Sequence, residues 1–270
     1  MAKIKGFKAL RYNENKINNI SEVIAPPYDV INKDQQELLY SMHENNIIKV
    51  DLNKTEGDKK YDEASQLFGN WIENEILIAE DMESIYPYHQ KFIFKGKEYE
   101  RLGIVALVKL SDFNEKIVLP HEETFSGPKA DRLKLMNSCK TNISPIFGVY
   151  DNSDDTVEKV VAQFIKNNNH IIEAKSLDGI TNKIWKISDS KTITQISSFF
   201  DSKEILIADG HHRYETSLNY SKANSSDEAS YVMFYLTGTI QDGLLINPTH
   251  RVLNETLSSE EITKSVIENF

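Results

Sequence analysis

The residues best suited to chemistry stand together at Asp209-Gly210-His211-His212-Arg213. They follow an apolar run, Ile205-Leu206-Ile207-Ala208, which reads as a short strand. They precede a segment in which Tyr214, Ser217, Leu218 and Ser221 share a helical face. A strand would thus deliver the cluster to its own end, and Gly210 would permit a tight turn. The following helix would present free amides and the positive end of its dipole to an anion. Arg213 can grip phosphate through two parallel hydrogen bonds, with Gly210 and His212 beside it. Asp209 needs a reason to stand there, because its charge repels phosphate. Holding Mg²⁺ or accepting a hydroxyl proton are the two obvious ones, with His211 as a second catalytic group. A polar strand-to-helix turn that happens to contain histidines is the structural alternative.

Three other stretches gather polar groups. Pro120 to Arg132 holds His121, Glu122, Glu123, Ser126, Lys129 and Arg132 around a Gly127-Pro128 pair. Its carboxylates, hydroxyl and bases could serve a metal, a small polar substrate or phosphate. Read alone, it is as readily a solvated loop. It is not a zinc-protease motif, since Phe125 stands where the second histidine would be needed. Asn247-Pro248-Thr249-His250-Arg251 repeats the His-Arg pairing and could add charge to the same phosphate, or could be an exposed strand end. Ala25-Pro26-Pro27-Tyr28-Asp29-Val30 is a rigid turn that presents Tyr28 and Asp29.

Several chemistries are excluded. There is no Walker A loop, no Gly-x-Gly-x-x-Gly fingerprint, no Gly-x-Ser-x-Gly elbow and no Cys-x-x-Cys pair. The net charge of -10 over 270 residues argues against non-specific nucleic-acid binding, which rests on many Lys and Arg contacts. A single cysteine, Cys139, allows no internal disulfide and suits a reducing, cytoplasmic compartment. Met1 to Tyr12 are basic but lack the apolar core expected of a signal peptide, and the longest apolar runs, such as Gly103 to Val108, are too short to span a bilayer. His43, His89 and His170 join no constellation.

The elements that must position these groups are mixed. Asn32 can cap a helix to about Glu44, and Lys59 to Ile78 repeats apolar residues at three and four. Gln90 to Phe94 and Glu98 to Leu110 flank a Lys95-Gly96 hairpin turn. Ser144 to Tyr150 reads as a strand, and Ser153 or Asp154 caps a helix burying Val157, Val160, Val161 and Phe164. Tyr231 to Thr239 and Leu244 to Asn247 flank Asp242-Gly243, a second hairpin signal. The pattern predicts an α+β fold, with a soft boundary dividing 1–150 from 151–270. A capped helix start at Ser258-Ser259-Glu260-Glu261, with Ile262, Val266 and Ile267 on one face, runs to Phe270 without a stop signal. That implies a parent chain longer than this one.

Glu22 to Val30, His121 to Arg132, Ala208 to Tyr214 and Pro248-Thr249-His250-Arg251 together resemble the bacterial and archaeal "domain of unknown function 1015" family. Its members are usually longer and tend to be encoded beside serine-biosynthesis enzymes. Asp209-Gly210-His211-His212-Arg213 is also similar to the Asp-Gly-His-x-Arg cluster of free-serine kinases in the ParB and sulfiredoxin-like superfamily. That resemblance implies a ParB/sulfiredoxin-like core with a large inserted α+β region. It implies Mg²⁺ as cofactor, ATP or ADP as donor, and free L-serine as the acceptor. Gly210, His211, His212 and Arg213 would hold phosphate, with Lys129, Arg132, His250 and Arg251 as outer charge. Tyr28, Asp29, His121, Glu122, Glu123 and Ser126 would line the substrate. The rivals are a ParB-like nucleotide switch without kinase activity and a phosphoserine phosphatase. The expected partners are a nucleotide and a small molecule, with neither nucleic acid nor membrane, and a homo-oligomer is left open.

Overall fold

The longest strands arise where the sequence alternates most cleanly. The structure, a computed structural model, describes residues 1–247 and 258–269. The chain begins with β1 (Ile4–Lys5) and β2 (Leu10–Tyr12), then single helical turns at Ile20–Glu22 and Tyr28–Val30. Helices α1 (Lys33–Met42), α2 (Ile48–Asp51) and α3 (Lys59–Glu73) follow. Asn32 and Gln35 form the capping box that starts α1. α3 ends short of the predicted Ile78, because Glu75 turns at φ 57° and Leu77–Ala79 leaves as β3 to pair with β2.

β4 (Tyr86–Phe94) and β5 (Lys97–Lys109) form the predicted hairpin, closed by Lys95 and Gly96 at φ 49° and 78°. Positive φ at both positions matches the right-handed twist of the flanking strands. Then come β6 (Val118–Leu119), α4 (Ser126–Cys139), β7 (Ile146–Tyr150) and α5 (Thr156–Asn167). Next are β8 (Ile172–Lys175), β9 (Thr181–Ile184), α6 (Ser190–Phe200), β10 (Ile205–Asp209), α7 (His211–Ala223), β11 (Tyr231–Gly238) and α8 (Ser259–Asn269). α4 starts inside the stretch read as a loop. Pro128 sits in its first turn, where no amide donor is required.

The fold is α+β. Nine strands form one sheet in the order β6-β10-β7-β11-β5-β4-β9-β8, with β1 also on β5. It takes strands from both sides of Tyr150, so 1–150 and 151–270 do not build separate sheets. The predicted partner strand Leu244 to Asn247 does not form. β11 lies between β5 and β7, so both its edges are already paired and a returning strand has nothing to bond.

One sheet face, carrying Ile104, Ile146, Ile207, Phe234 and Leu236, buries against α5, α6 and α7 through Val161, Phe200 and Tyr214. A second core joins Tyr12, Tyr61, Phe68, Trp71 and Leu135 from the N-terminal region, α3 and α4. The opposite sheet face and this second core do not close fully, and a cleft is left between them. Among the described residues no helix is long and apolar enough to cross a membrane. On α8, Ser258 and Glu261 form the predicted cap, and Ile262, Val266 and Ile267 are exposed.

Candidate functional site

β10 carries Asp209 to the sheet end, Gly210 turns at φ +95°, and α7 starts at His211. An alanine here would be strained whatever the space, since L side chains avoid that φ. Gly210 is the N-cap and offers no capping side chain, so the first turn of α7 is uncapped. Arg213 Nη2 bonds Asp209 Oδ2 at 2.5 Å, and Nη1 donates to the Pro145 carbonyl. The Arg213 side chain is 10% exposed and Asp209 56% exposed. Arg213 Nε is buried without a partner among the described residues. The arginine is thus a buried charge that ties the strand end to the residues before β7. The carboxylate remains half in solvent.

The loop before α4 lies across the first turns of α7. The His121 amide donates to His211 Nε2 at 3.2 Å, and the Phe125 amide donates to His212 Nε2 at 3.1 Å. Thr124 Oγ1 and Lys129 Nζ both bond Glu215, each at 2.7 Å. Burial alone would raise the Glu215 carboxyl, but these two bonds outweigh it and hold it below its ordinary value. His211 is only 1% exposed. Burial pushes its imidazole below the usual histidine range, against the pull of Glu122. His211 Nδ1 lies 3.0 Å from Glu122 Oε1, yet not along the direction a hydrogen bond requires. His121 Nδ1 faces the Ile207 carbonyl at 2.7 Å.

Arg132 is buried. Its Nη1 bonds Asp51 Oδ1 at 2.8 Å and its Nη2 bonds Asp131 Oδ2 at 2.6 Å. Asp131 also takes Lys60 Nζ at 2.6 Å and Tyr61 Oη at 2.7 Å. Burial opposes ionisation of Asp131, but these donors win and bring its carboxyl down to about 2. Burial pushes Asp51 up, with Arg132 and then Arg213 opposing. The Tyr28 ring lies 4.1 Å from the Arg132 guanidinium.

The structure brings together only some of the residues singled out in the sequence. Asp209 and Arg213 sit together at the cleft, with Gly210 buried in the turn between them. His211 and His212 give their Nε2 atoms to loop amides and do not offer them to phosphate. Lys129 and Arg132 are neutralised by Glu215, Asp51 and Asp131. Asp29, Glu123 and Ser126 are exposed. His250 and Arg251 lie outside the described residues.

The cleft itself holds about 1360 Å³ and is lined by Asp209, Arg213, Asp51 and Ser144 as well as by the sheet face. On that face Arg101 Nε and Nη2 donate to Gln90 Oε1 at 3.0 and 2.7 Å. Its guanidinium lies 5.0 Å from the Phe147 ring centre. Tyr88 and Tyr235 meet edge-to-face at 4.9 Å. Asp51 and Arg101 escaped the sequence reading. Arg101 had a signal, because counting outward from the Lys95-Gly96 turn sets it opposite Gln90. Asp51 had none.

Among the described residues, one group of side chains could meet a metal ion. His121, Glu122 and His211 place one ligand atom each within 4.8 Å of one another.

No curated protein and no solved structure matches the chain. A family profile described as "Protein of unknown function (DUF1015)" matches residues 4–270. The four ordered motifs and this nearly full-length match agree, and the chain belongs to the DUF1015 family.

Proposed function

We propose that the chain transfers a phosphoryl group between ATP or ADP and a small hydroxyl metabolite, with free L-serine the first acceptor to test. The fold proposed to carry it is a ParB/sulfiredoxin-like core with a large inserted region, in the cytoplasm. The observation that supports it most is the strand-turn-helix at Gly210. The buried Arg213 cation and the half-exposed Asp209 carboxylate, on either side of the uncapped start of α7, border one large cleft. Helix amides and the Arg213 charge would stabilise phosphate there. Such catalysis is mostly positioning and charge neutralisation. Through the oxygen turned away from Arg213, Asp209 would either hold Mg²⁺, which would neutralise phosphate charge while the hydroxyl proton leaves to water, or itself accept the proton of the attacking hydroxyl. The hydroxyl oxygen forms the new bond to phosphorus, and the bond to the nucleotide breaks with its electrons leaving on the nucleotide.

One observation favours a second reading. The 2.5 Å pair with Arg213 already spends part of the Asp209 charge, which fits a nucleotide-binding switch without turnover. A phosphoserine phosphatase would use the same groups with water as acceptor. Incubation with ATP or ADP, Mg²⁺ and L-serine, and in parallel with phosphoserine and Mg²⁺, separates the three. The transferase gives phosphoserine and the phosphatase releases phosphate from phosphoserine. A switch gives binding without either product, and that outcome overturns the proposal.

A further inference from the structure

We propose that His121, Glu122 and His211 form a binding site for a borderline divalent cation of the Zn²⁺ or Co²⁺ kind, joining the loop before α4 to the first turn of α7. One ring nitrogen of each histidine and a Glu122 carboxylate oxygen lie within 4.8 Å of one another. The independent observation is His211 Nδ1. It sits in a side chain 1% exposed and makes no hydrogen bond among the described residues. Its nearest charged neighbour, Glu122 Oε1, stands 3.0 Å away and off the hydrogen-bonding direction. Two atoms bound to one ion at about 2.0–2.2 Å must themselves lie roughly 3 Å apart or slightly more. The spacing is therefore that of neighbours in one coordination shell.

The second imidazole is oriented for the same task. His121 Nδ1 meets the Ile207 carbonyl at 2.7 Å, which places the ring proton there and leaves Nε2 bare. A backbone carbonyl behind the ring is the usual support of a metal-bound histidine. The two rings stand 4.5 Å apart at 89°, so they converge without stacking. Two nitrogens and one oxygen favour Zn²⁺, Co²⁺ or a close first-row relative over Mg²⁺ or Ca²⁺, which prefer all-oxygen shells. Occupation has one cost. His211 Nε2 accepts from the His121 amide at 3.2 Å, which requires the ring proton on Nδ1. A cation on Nδ1 moves that proton to Nε2 and breaks the contact, trading one long hydrogen bond for up to three metal–ligand bonds.

The site does not depend on phosphoryl transfer and would stand if the chain turned over nothing. The test uses tag-free full chain, stripped by a chelator and titrated with Co²⁺ while its visible absorption is followed. The expected result is one saturable set of bands, displaced by Zn²⁺ and unmoved by a roughly hundredfold excess of Mg²⁺. His121→Ala and Glu122→Gln change exposed side chains, so folding should survive and is checked by circular dichroism. Each should weaken Co²⁺ binding by about tenfold or more. Absence of the bands overturns the assignment, as does wild-type affinity in either folded variant.

Discussion

Arg213 decides how the candidate site works, because its guanidinium touches both Asp209 and the Pro145 carbonyl from a buried position. Arg213→Ala should weaken nucleotide binding by about 1.5–3 kcal/mol, the scale of a hydrogen bond to a charged group. Calorimetry on folded protein checks it, and unchanged affinity removes the site. Asp209→Asn should cut turnover about 10²-fold or more while the fold survives. Retained serine phosphorylation in that variant would sink the mechanism. Asp131 supplies a pH test far from the chemistry. Its folded carboxyl titrates at about 2, below the ordinary 3.8, so the folded state binds its proton less readily. Its stabilisation is therefore full above the ordinary value and is lost as pH falls through about 2. Because the group is only half-buried, the effect is about 1 kcal/mol after screening. Urea titrations at mildly and strongly acid pH should show Asp131→Asn losing less stability than wild type across that window. At this scale the sequence exposed what is contiguous. Asp209, Gly210 and Arg213 lie within five residues and read as a unit, although the Arg213 guanidinium bonds Asp209 and the Pro145 carbonyl instead of standing free for phosphate. Lys129 did not, because Glu215 reaches it only after α4 and α7 pack together.

Elements were legible where their signal was local. The Asn32 cap, the Lys95-Gly96 hairpin and the apolar strand into Asp209 all carry their instructions in a few adjacent residues. The Asp242-Gly243 turn carries the same kind of signal, yet no hairpin forms. What overrides it is pairing from afar, since β5 and β7 occupy both edges of β11. β8 and β9 are short and nothing local announced them, whereas α6 carries a local signal that escaped the sequence reading, the Asp189 cap followed by Ile193, Ile196, Phe199 and Phe200 on one face. The close approach of β5 to β11 gives a test at this scale. A methyl group on Gly103 would fall 2.3 Å from the Leu236 carbonyl oxygen and 2.6 Å from the Tyr235 ring. Backbone cannot yield that distance cheaply, so Gly103→Ala should destabilise by about 3 kcal/mol, at the upper end for overpacking. Chemical denaturation measures it, and a loss within experimental error would mean the two strands can part locally.

Across the whole molecule, one sheet holds the two halves together. β7 is flanked on both sides by strands from beyond Tyr150. An isolated 1–150 fragment should therefore show no cooperative melting transition by circular dichroism. A sharp transition in that fragment would mean its first half folds by itself. Phe234 is fully buried in the sheet-helix core, and Phe234→Ala should cost about 3–5 kcal/mol. The same architecture has a consequence in time. β5 receives β1 and β4 early in the chain but pairs with β11, whose residues lie on the order of a hundred positions downstream. At a ribosomal pace of roughly 5–20 residues per second, that delay is on the order of ten seconds. During it the apolar Gly103–Val108 edge stands open, a template for any passing strand. The order of strands in the sheet thus sets an interval in translation when the nascent chain most needs a chaperone.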